Sequence, residues 1–422
     1  MNSVKYFIAG IAVMFYITTY AQQHTKRVLF LGNSYTYTNN LPVMLADAAL
    51  SAGDTVVHDN NAPGGYTFQG HSTNATSLSK IAQGTWDYVV LQEQSQLPSF
   101  PDFQVQSDVY PFAAILNDSI LAANPCTETV FFMTWGRKNG DASNCAGWPA
   151  VCTYEGMDSL LSLRYRIMAD DNDAIVSPVG AVWKYIRETA PQIELYNPDE
   201  SHPSVAGTYA AACTFYATLF RSNPENITYN SSLSSTDAAT IRAAAKLVVY
   251  DSLLNWHIGE YDPHAQFTYS VTGTNEIAFS NTSQFADTYS WSFGDANSSA
   301  DENPVHTYAT TGTYTVQLIV ENCGMQDTLS QTITVDATGI ETPEMKYTVY
   351  PNPVSTFINM GNGLNSNLTY TILNSAGALM QTGDIINRQQ LSVVDLADGI
   401  YLLQLFENDQ SVGLVRFVKA TY

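Results

Sequence analysis

The stretch Arg27-Val-Leu-Phe-Leu-Gly-Asn-Ser-Tyr-Thr36 decides the fold. Val28 to Leu31 is a continuous apolar run, and a run without alternation suits a strand covered on both faces of a parallel sheet. Gly32 and Asn33 break it. Downstream, Asn39 and Asn40 can cap a helix, Pro42 fits its first turn, and Leu41–Ala52 carries a helical pattern with Gly53 just past its end. Ser34 is therefore expected in a loop between the carboxyl end of a strand and the start of a helix. In open α/β sheets that is where ligands bind.

The same alternation continues to about Tyr261. Further strands are expected at Thr55–Asp59, Tyr88–Gln92, Thr129–Thr134 and Ala174–Val176. Further helices are expected at Asp108–Ala122, Tyr154–Met168, Ala181–Thr189, Ser204–Phe220 and Thr236–Asn255. Strands alternating with helices predict an α/β domain over residues 24–261, a mostly parallel sheet covered by helices on both sides. Near Pro263 the texture changes. Short alternating runs such as Tyr314-Thr-Val-Gln-Leu-Ile-Val, separated by turn signals, predict a small β-sandwich over residues 264–337. A linker follows, Asp336 to Lys346, with Gly339 and Pro343. The last segment, residues 346–422, is again β-rich, with turns at Gly361–Gly363 and Asn374–Gly377.

With 422 residues the chain has room for two or three domains. Its formal net charge is -22, from 39 acidic and 17 basic residues. That balance excludes nucleic acid as a partner, because neutralising phosphates takes clustered Lys and Arg. It also speaks against an anionic membrane surface, and for a well-solvated protein outside the cytoplasm. Lys5, the apolar stretch Phe7–Ile17, and the small residues Thr19 and Ala21 form a signal-peptide pattern over residues 1–21. No membrane span is expected after its removal. Of five cysteines, Cys145 and Cys152 bracket a short loop and are the expected disulfide. Cys213 lies in an Ala-rich helical run and is expected as a buried free thiol. With no Cys-x-x-Cys and no His cluster, no zinc site is supported.

A nucleophilic serine needs a base, a carboxylate to orient the base, and donors for the oxyanion. Pro198-Asp-Glu-Ser-His-Pro-Ser offers the first two together. In a turn, the spacing of Asp199 and His202 lets the carboxylate reach the Nδ1 side of the ring and leaves Nε2 to face Ser34. Candidate oxyanion loops follow the second and third strands. Pro63-Gly64-Gly65-Tyr66 allows close backbone approach, and Gln92-Glu-Gln-Ser-Gln offers side-chain amides.

On these residues the chain resembles the SGNH (GDSL-like) hydrolases over about its first 260 positions. Gly32-Asn33-Ser34 is similar to the family's first block. Gly65, or Gly64 with a shift of one, is similar to its second-block glycine, and Asp199 with His202 to its Asp-x-x-His block. Ser177-Pro-Val-Gly resembles the stretch that commonly precedes that block. The third block departs: Gly-x-Asn-Asp is replaced by Gln92-Glu93-Gln94-Ser95, with Gln94 at the asparagine position and Gln92 as the alternative. The resemblance implies a flavodoxin-like three-layer α/β/α domain. It implies ester hydrolysis through an acyl-enzyme: Ser34 as nucleophile, His202 as base, Asp199 as its orienter, and Ser34, Gly65 and Gln94 as oxyanion donors. No cofactor or metal is called for. The expected substrate is an acylated, above all acetylated, carbohydrate or another small ester. The altered third block leaves a second reading, a non-catalytic surface adhesion or glycan-binding protein on a hydrolase-like scaffold.

The middle segment, with Tyr289-Ser-Trp-Ser-Phe-Gly-Asp, Pro304-Val-His-Thr-Tyr and Gly312-Thr-Tyr-Thr-Val, resembles a PKD domain, an immunoglobulin-like sandwich. Trp291 and Phe293 are expected in its core, Gly294-Asp295 in a turn, and Asp295 in a structural role. The last segment opens Val349-Tyr-Pro-Asn-Pro and contains Leu396-Ala-Asp-Gly-Ile-Tyr-Leu-Leu-Gln-Leu, with Arg416 and Lys419 in a basic strand. It is similar to the carboxyl-terminal sorting domain of type IX secretion substrates. That resemblance implies the type IX machinery as a partner and release from, or attachment to, the outer surface of a bacterium.

Overall fold

Val28 to Leu31 are wholly excluded from solvent. They belong to a strand, β1 (Thr25–Leu31), that hydrogen-bonds on both sides. The computed structural model describes residues 24–335, 349–360, 368–374, 377–385, 390–407 and 410–420. The expected signal peptide, the linker, the start of the last segment and the turn at 361–363 lie outside these residues, as do two positions of the turn at 374–377. The chain divides into two compact units, one ending at Ser252 and one beginning at Leu253.

In the first unit β1 is joined by β2 (Thr55–Asn61), β3 (Tyr88–Leu91), β4 (Glu128–Phe132) and β5 (Ile175–Ser177), all parallel, in the order β2-β1-β3-β4-β5. This is the flavodoxin-like order, with its switch point between β1 and β3. The helices Leu41–Ser51, Val179–Thr189, Val205–Phe220 and Ser235–Val248 contact one another and form one layer. The helices Phe68–Thr73, Ala75–Ile81, Tyr110–Ala123 and Tyr154–Asp171 form the other. The expected three-layer α/β/α arrangement is what the chain adopts. The Val205–Phe220 helix is buried from Ala206 to Leu219, which fits its Ala-rich, uncharged sequence.

Four local expectations are corrected. Ser34 is not in a loop but begins a helical turn, Ser34–Tyr37, capped by the Asn33 side chain. Asn39 and Asn40 do not cap the next helix through their side chains; both adopt left-handed backbone, φ 53° and 54°. The helix expected to begin at Asp108 runs from Tyr110 to Ala123, and Asp108 instead ends a separate helix, Asp102–Asp108, since Pro111 has no N–H to continue the one into the other. The helix expected to reach Asn255 ends at Val248, and a 3₁₀ segment, Tyr250–Trp256, follows. Phe68–Thr73 and Ala75–Ile81 were not expected. They are short and polar, and are started by the Thr67 and Asn74 side chains, which accept from the Gly70 and Ser77 amides.

The second unit holds two β-sandwiches, each with its own core. In residues 267–335 two antiparallel sheets enclose Trp291, Phe293, Phe267 and Phe279, so the two aromatics expected inside are there. Asp295 accepts from the Asn297 amide, 3.1 Å, and lies 2.8 Å from His306 Nε2, which ties the turn to a strand of the other sheet. In residues 349–420 two more antiparallel sheets enclose Ile358, Tyr370, Ile372, Leu403, Leu405 and Phe417. Lys419, named above as part of a basic strand, is 3 % exposed, with its Nζ 3.4 Å from Asp398.

Candidate active site

The turn that carries Ser34 is built on a glycine. A Cβ on Gly32 would lie 2.3 Å from Thr36 Oγ1 and 2.7 Å from Gln92 Oε1, so only hydrogen fits. Gln92 Oε1 accepts from the Asn33 amide, 3.0 Å, and from Thr36 Oγ1, 2.9 Å, while its Nε2 donates to the Glu93 carbonyl, 2.5 Å. The oxygen end of this buried amide therefore holds the turn together while its nitrogen is tied to the next residue, and Gln92 is placed as a scaffold. Asn33 Oδ1 accepts from the Tyr35 amide and caps the turn, and its Nδ2 donates to the Tyr66 carbonyl, 2.9 Å. Ser34 is thereby the first residue of a helical turn, where a backbone N–H has no partner within the helix and faces outward.

His202 arrives from the loop between Asn197 and Ser204. The Asn197 amide donates to the His202 carbonyl, 2.8 Å, which closes that loop. His202 Nε2 lies 2.8 Å from Ser34 Oγ, and Nδ1 lies 2.5 Å from Asp199 Oδ2. Asp199 Oδ1 accepts from the Ser201 and His202 amides, 3.1 and 3.0 Å. Burial works to raise the Asp199 carboxyl. Hydrogen bonds from the His202 ring and from those two amides outweigh it and hold the carboxyl below its usual range. A charged Asp199 fixes the proton on Nδ1 and leaves Nε2 to accept from the serine hydroxyl.

Three residues that sequence reasoning did not single out support this loop. The Tyr35 ring stacks on Trp135, centroids 4.7 Å apart, and meets the His202 ring edge-on at 5.4 Å. Tyr35 Oη lies 2.7 Å from Ser201 Oγ, and Trp135 Nε1 donates to the Ser201 carbonyl, 3.1 Å. Tyr35 adjoins Ser34 in the chain, but Trp135 follows β4, and nothing in its local sequence signals the contact.

Gly65 has φ +69°, a left-handed conformation that favours glycine, in a turn closed by the Tyr66 amide donating to the Pro63 carbonyl, 3.2 Å. The bond from Asn33 Nδ2 to Tyr66 ties this turn to the residue before Ser34. His71, buried, joins the same region: its Nε2 is 2.9 Å from the Gly32 carbonyl and its Nδ1 2.8 Å from Ser77 Oγ. Gln94 sits in the loop after β3. Its Oε1 accepts from the Gln96 and Leu97 amides, 2.8 and 3.1 Å, and its Nε2 donates to Gln96 Oε1, 3.1 Å. These bonds run within its own loop. A primary amide carries two N–H donors, so one hydrogen on Nε2 remains beyond the bond to Gln96.

Ser34, His202 and Asp199 thus stand in one hydrogen-bonded line at the carboxyl end of β1, with the Gly65 turn tied beside them. The relatives of the chain divide by segment. Residues 348–419 match the secretion system C-terminal sorting domain. Residues 262–337 match the PKD domain. Among solved structures, the chain is similar to a DUF4886 family protein from Bacteroides uniformis, at 19% identity and TM-score 0.47, over 55% of this chain and 95% of that one. It is also similar to a protein of Slackia heliotrinireducens described as a candidate SGNH hydrolase, at 27% identity and TM-score 0.39, over 46% of this chain and 99% of that one. The PKD1 domain of a Vibrio cholerae metalloprotease matches at 35% identity and TM-score 0.17, over 18% of this chain and 98% of that one. The amino-terminal unit has a flavodoxin-like parallel α/β/α fold, and the sorting domain marks the protein for release or for the outer-membrane surface. Among the described residues no helix is long and apolar enough to cross a membrane.

Proposed function

We propose that residues 24–261 form a serine esterase, followed by a PKD-like spacer over 264–337 and a sorting domain over 346–422 that hands the protein to the type IX machinery. The single observation that carries the reading is the line Ser34 Oγ–His202 Nε2–Asp199, with spacings of 2.8 and 2.5 Å. In it His202 takes the Ser34 proton as Oγ attacks the ester carbonyl. Asp199 stabilises the imidazolium, which then protonates the departing alcohol. Water, deprotonated by the same ring, releases the acid from the acyl-enzyme. The Ser34 and Gly65 amides receive the oxyanion, with the remaining Gln94 N–H as third donor.

The substrate class we propose is a carboxylic ester of small acyl groups, acetyl above all, on carbohydrate. Export beyond the cell and the appended PKD-like module support a polymer outside the cell as the target. Ser34 and His202 are partly open to solvent, which suits an acyl group carried on a large alcohol. The test is turnover of p-nitrophenyl acetate and of acetylated polysaccharides by the purified protein, with a phosphonate ester to label Ser34. Acetate release and a label that Ser34→Ala abolishes are expected. Absence of both turnover and label would leave the glycan-binding reading, which the engagement of the Gln92 and Gln94 Nε2 groups within their own loop favours.

A further inference from the structure

Glu93 has no role in the mechanism above, yet its side chain is wholly buried, a rare state for a glutamate. Its partners are backbone amides. Oε2 accepts from the Phe68 amide, 2.9 Å, and Oε1 from the Gln94 amide, 2.5 Å. Phe68 opens the short helix that follows the Gly64-Gly65-Tyr66 turn, and Gln94 is in the loop after β3. The Glu93 carbonyl in turn accepts from Asn33 Nδ2, 3.5 Å, one residue before the nucleophile. One residue therefore touches all three loops from which oxyanion donors are drawn.

We infer that Glu93 is a positioning residue whose carboxylate clamps the Gly65 loop to the Gln94 loop and so sets the separation of the oxyanion donors. The inference rests on the esterase reading and adds a residue to it. The two amides lie on separate segments, 25 residues apart from Phe68 to Glu93. A carboxylate can accept from both at once. Glutamine of the same shape presents one acceptor and one donor, so one of the two ties becomes donor against donor. Aspartate keeps the charge but is one methylene too short to span both. Burial pushes the Glu93 carboxyl up to about 8 against the pull of the two amides, so the ionised form that accepts from both prevails above that pH, where the variants are compared.

The experiment compares the full chain with Glu93→Gln and Glu93→Asp, each also in a Gln94→Ala background. It measures kcat and KM for p-nitrophenyl acetate, the rate of Ser34 labelling by a phosphonate ester, and the melting temperature. Glu93→Gln is expected to lower kcat and the labelling rate together by about 10- to 100-fold at little-changed KM, since donors aimed at the transition state act on kcat. Without Gln94 the same substitution is expected to cost only about threefold, because the clamped donor is already gone. Glu93→Asp is expected to fall between the wild type and Glu93→Gln, and it provides the measurement if Glu93→Gln does not fold. A lowered melting temperature with unchanged kcat and labelling would overturn the inference and leave Glu93 as a helix cap. Full additivity with Gln94→Ala would overturn it as well. If the wild type itself neither turns over nor labels, the esterase reading fails first and takes the clamp with it.

Discussion

Tyr35 lies flat against Trp135, the ring planes 2° apart and the centroids 4.7 Å apart, and Trp135 continues the stack onto Trp183 at 3.7 Å. The column stands under the loop that carries His202, and both Tyr35 and Trp135 also bond Ser201. Replacing Trp135, which is fully buried, by Ala is expected to cost about 3–5 kcal/mol of stability. Trp135→Phe keeps a ring but loses the bond to the Ser201 carbonyl. Its expected cost is about 1 kcal/mol in urea unfolding and about tenfold in kcat, because a slight shift of the base misaligns it from Ser34.

Gly32→Ala tests the nucleophile turn from the inside. The added methyl meets Thr36 Oγ1 and Gln92 Oε1, the pair that fixes the turn. Overpacking of this kind is expected to cost about 1–3 kcal/mol while leaving the fold intact by circular dichroism. Phosphonate labelling of Ser34 is expected to drop at least tenfold, about the penalty for a misplaced nucleophile. Normal labelling in a folded Gly32→Ala variant would remove the turn from the account.

Two buried carboxyls give stability a predictable pH dependence. Burial raises Glu93 from 4.5 to about 8 and Asp158 from 3.8 to about 6. A raised carboxyl holds a proton in the folded chain that the unfolded chain releases. The contribution of these two groups is therefore largest below their unfolded values, falls as pH rises through them, and levels once each folded group ionises. The slope from each group is at most about 1.4 kcal/mol per pH unit. Between the two folded values the decline belongs to Glu93, so Glu93→Gln is expected to flatten urea-unfolding free energies from pH 6 to pH 8. A decline unchanged in that variant would show that another group is responsible.

Cys145 and Cys152 are joined, as their spacing suggests, and Cys213 is a buried free thiol pushed up to about 12, with burial the main cause. Native protein is expected to resist a thiol reagent at pH 8. Cys126 and Cys323 are disulfide-bonded as well, so unfolding in urea without reductant is expected to release a single reactive thiol, and Cys213→Ala to abolish it. A reactive thiol in the native state would contradict the burial of the Val205–Phe220 helix.

Local sequence determined much of this protein. Apolar runs without alternation declared the parallel strands, because a strand covered on both faces has no polar side to show. Gly-Asn-Ser announced the turn at Ser34 and Asp-x-x-His the Asp199–His202 pair, since both act over short distances, whereas the approach of His202 to Ser34 joins residues 168 apart and was left to the tertiary structure. The order β2-β1-β3-β4-β5 followed from the fold resemblance rather than from any one strand. What only the tertiary structure decided is how residues distant in the chain are used. Gln92 holds the nucleophile turn through Asn33 and Thr36, Trp135 supports the histidine loop from the end of β4, and Glu93 joins two loops through backbone amides. Even the loop expected around Ser34 became a capped helical turn, because the Asn33 side chain could reach the Tyr35 amide. Apart from the Thr36 hydroxyl such partners are backbone groups, and every residue carries them, so their choice is written in how the strands are placed and not in the identity of the neighbours.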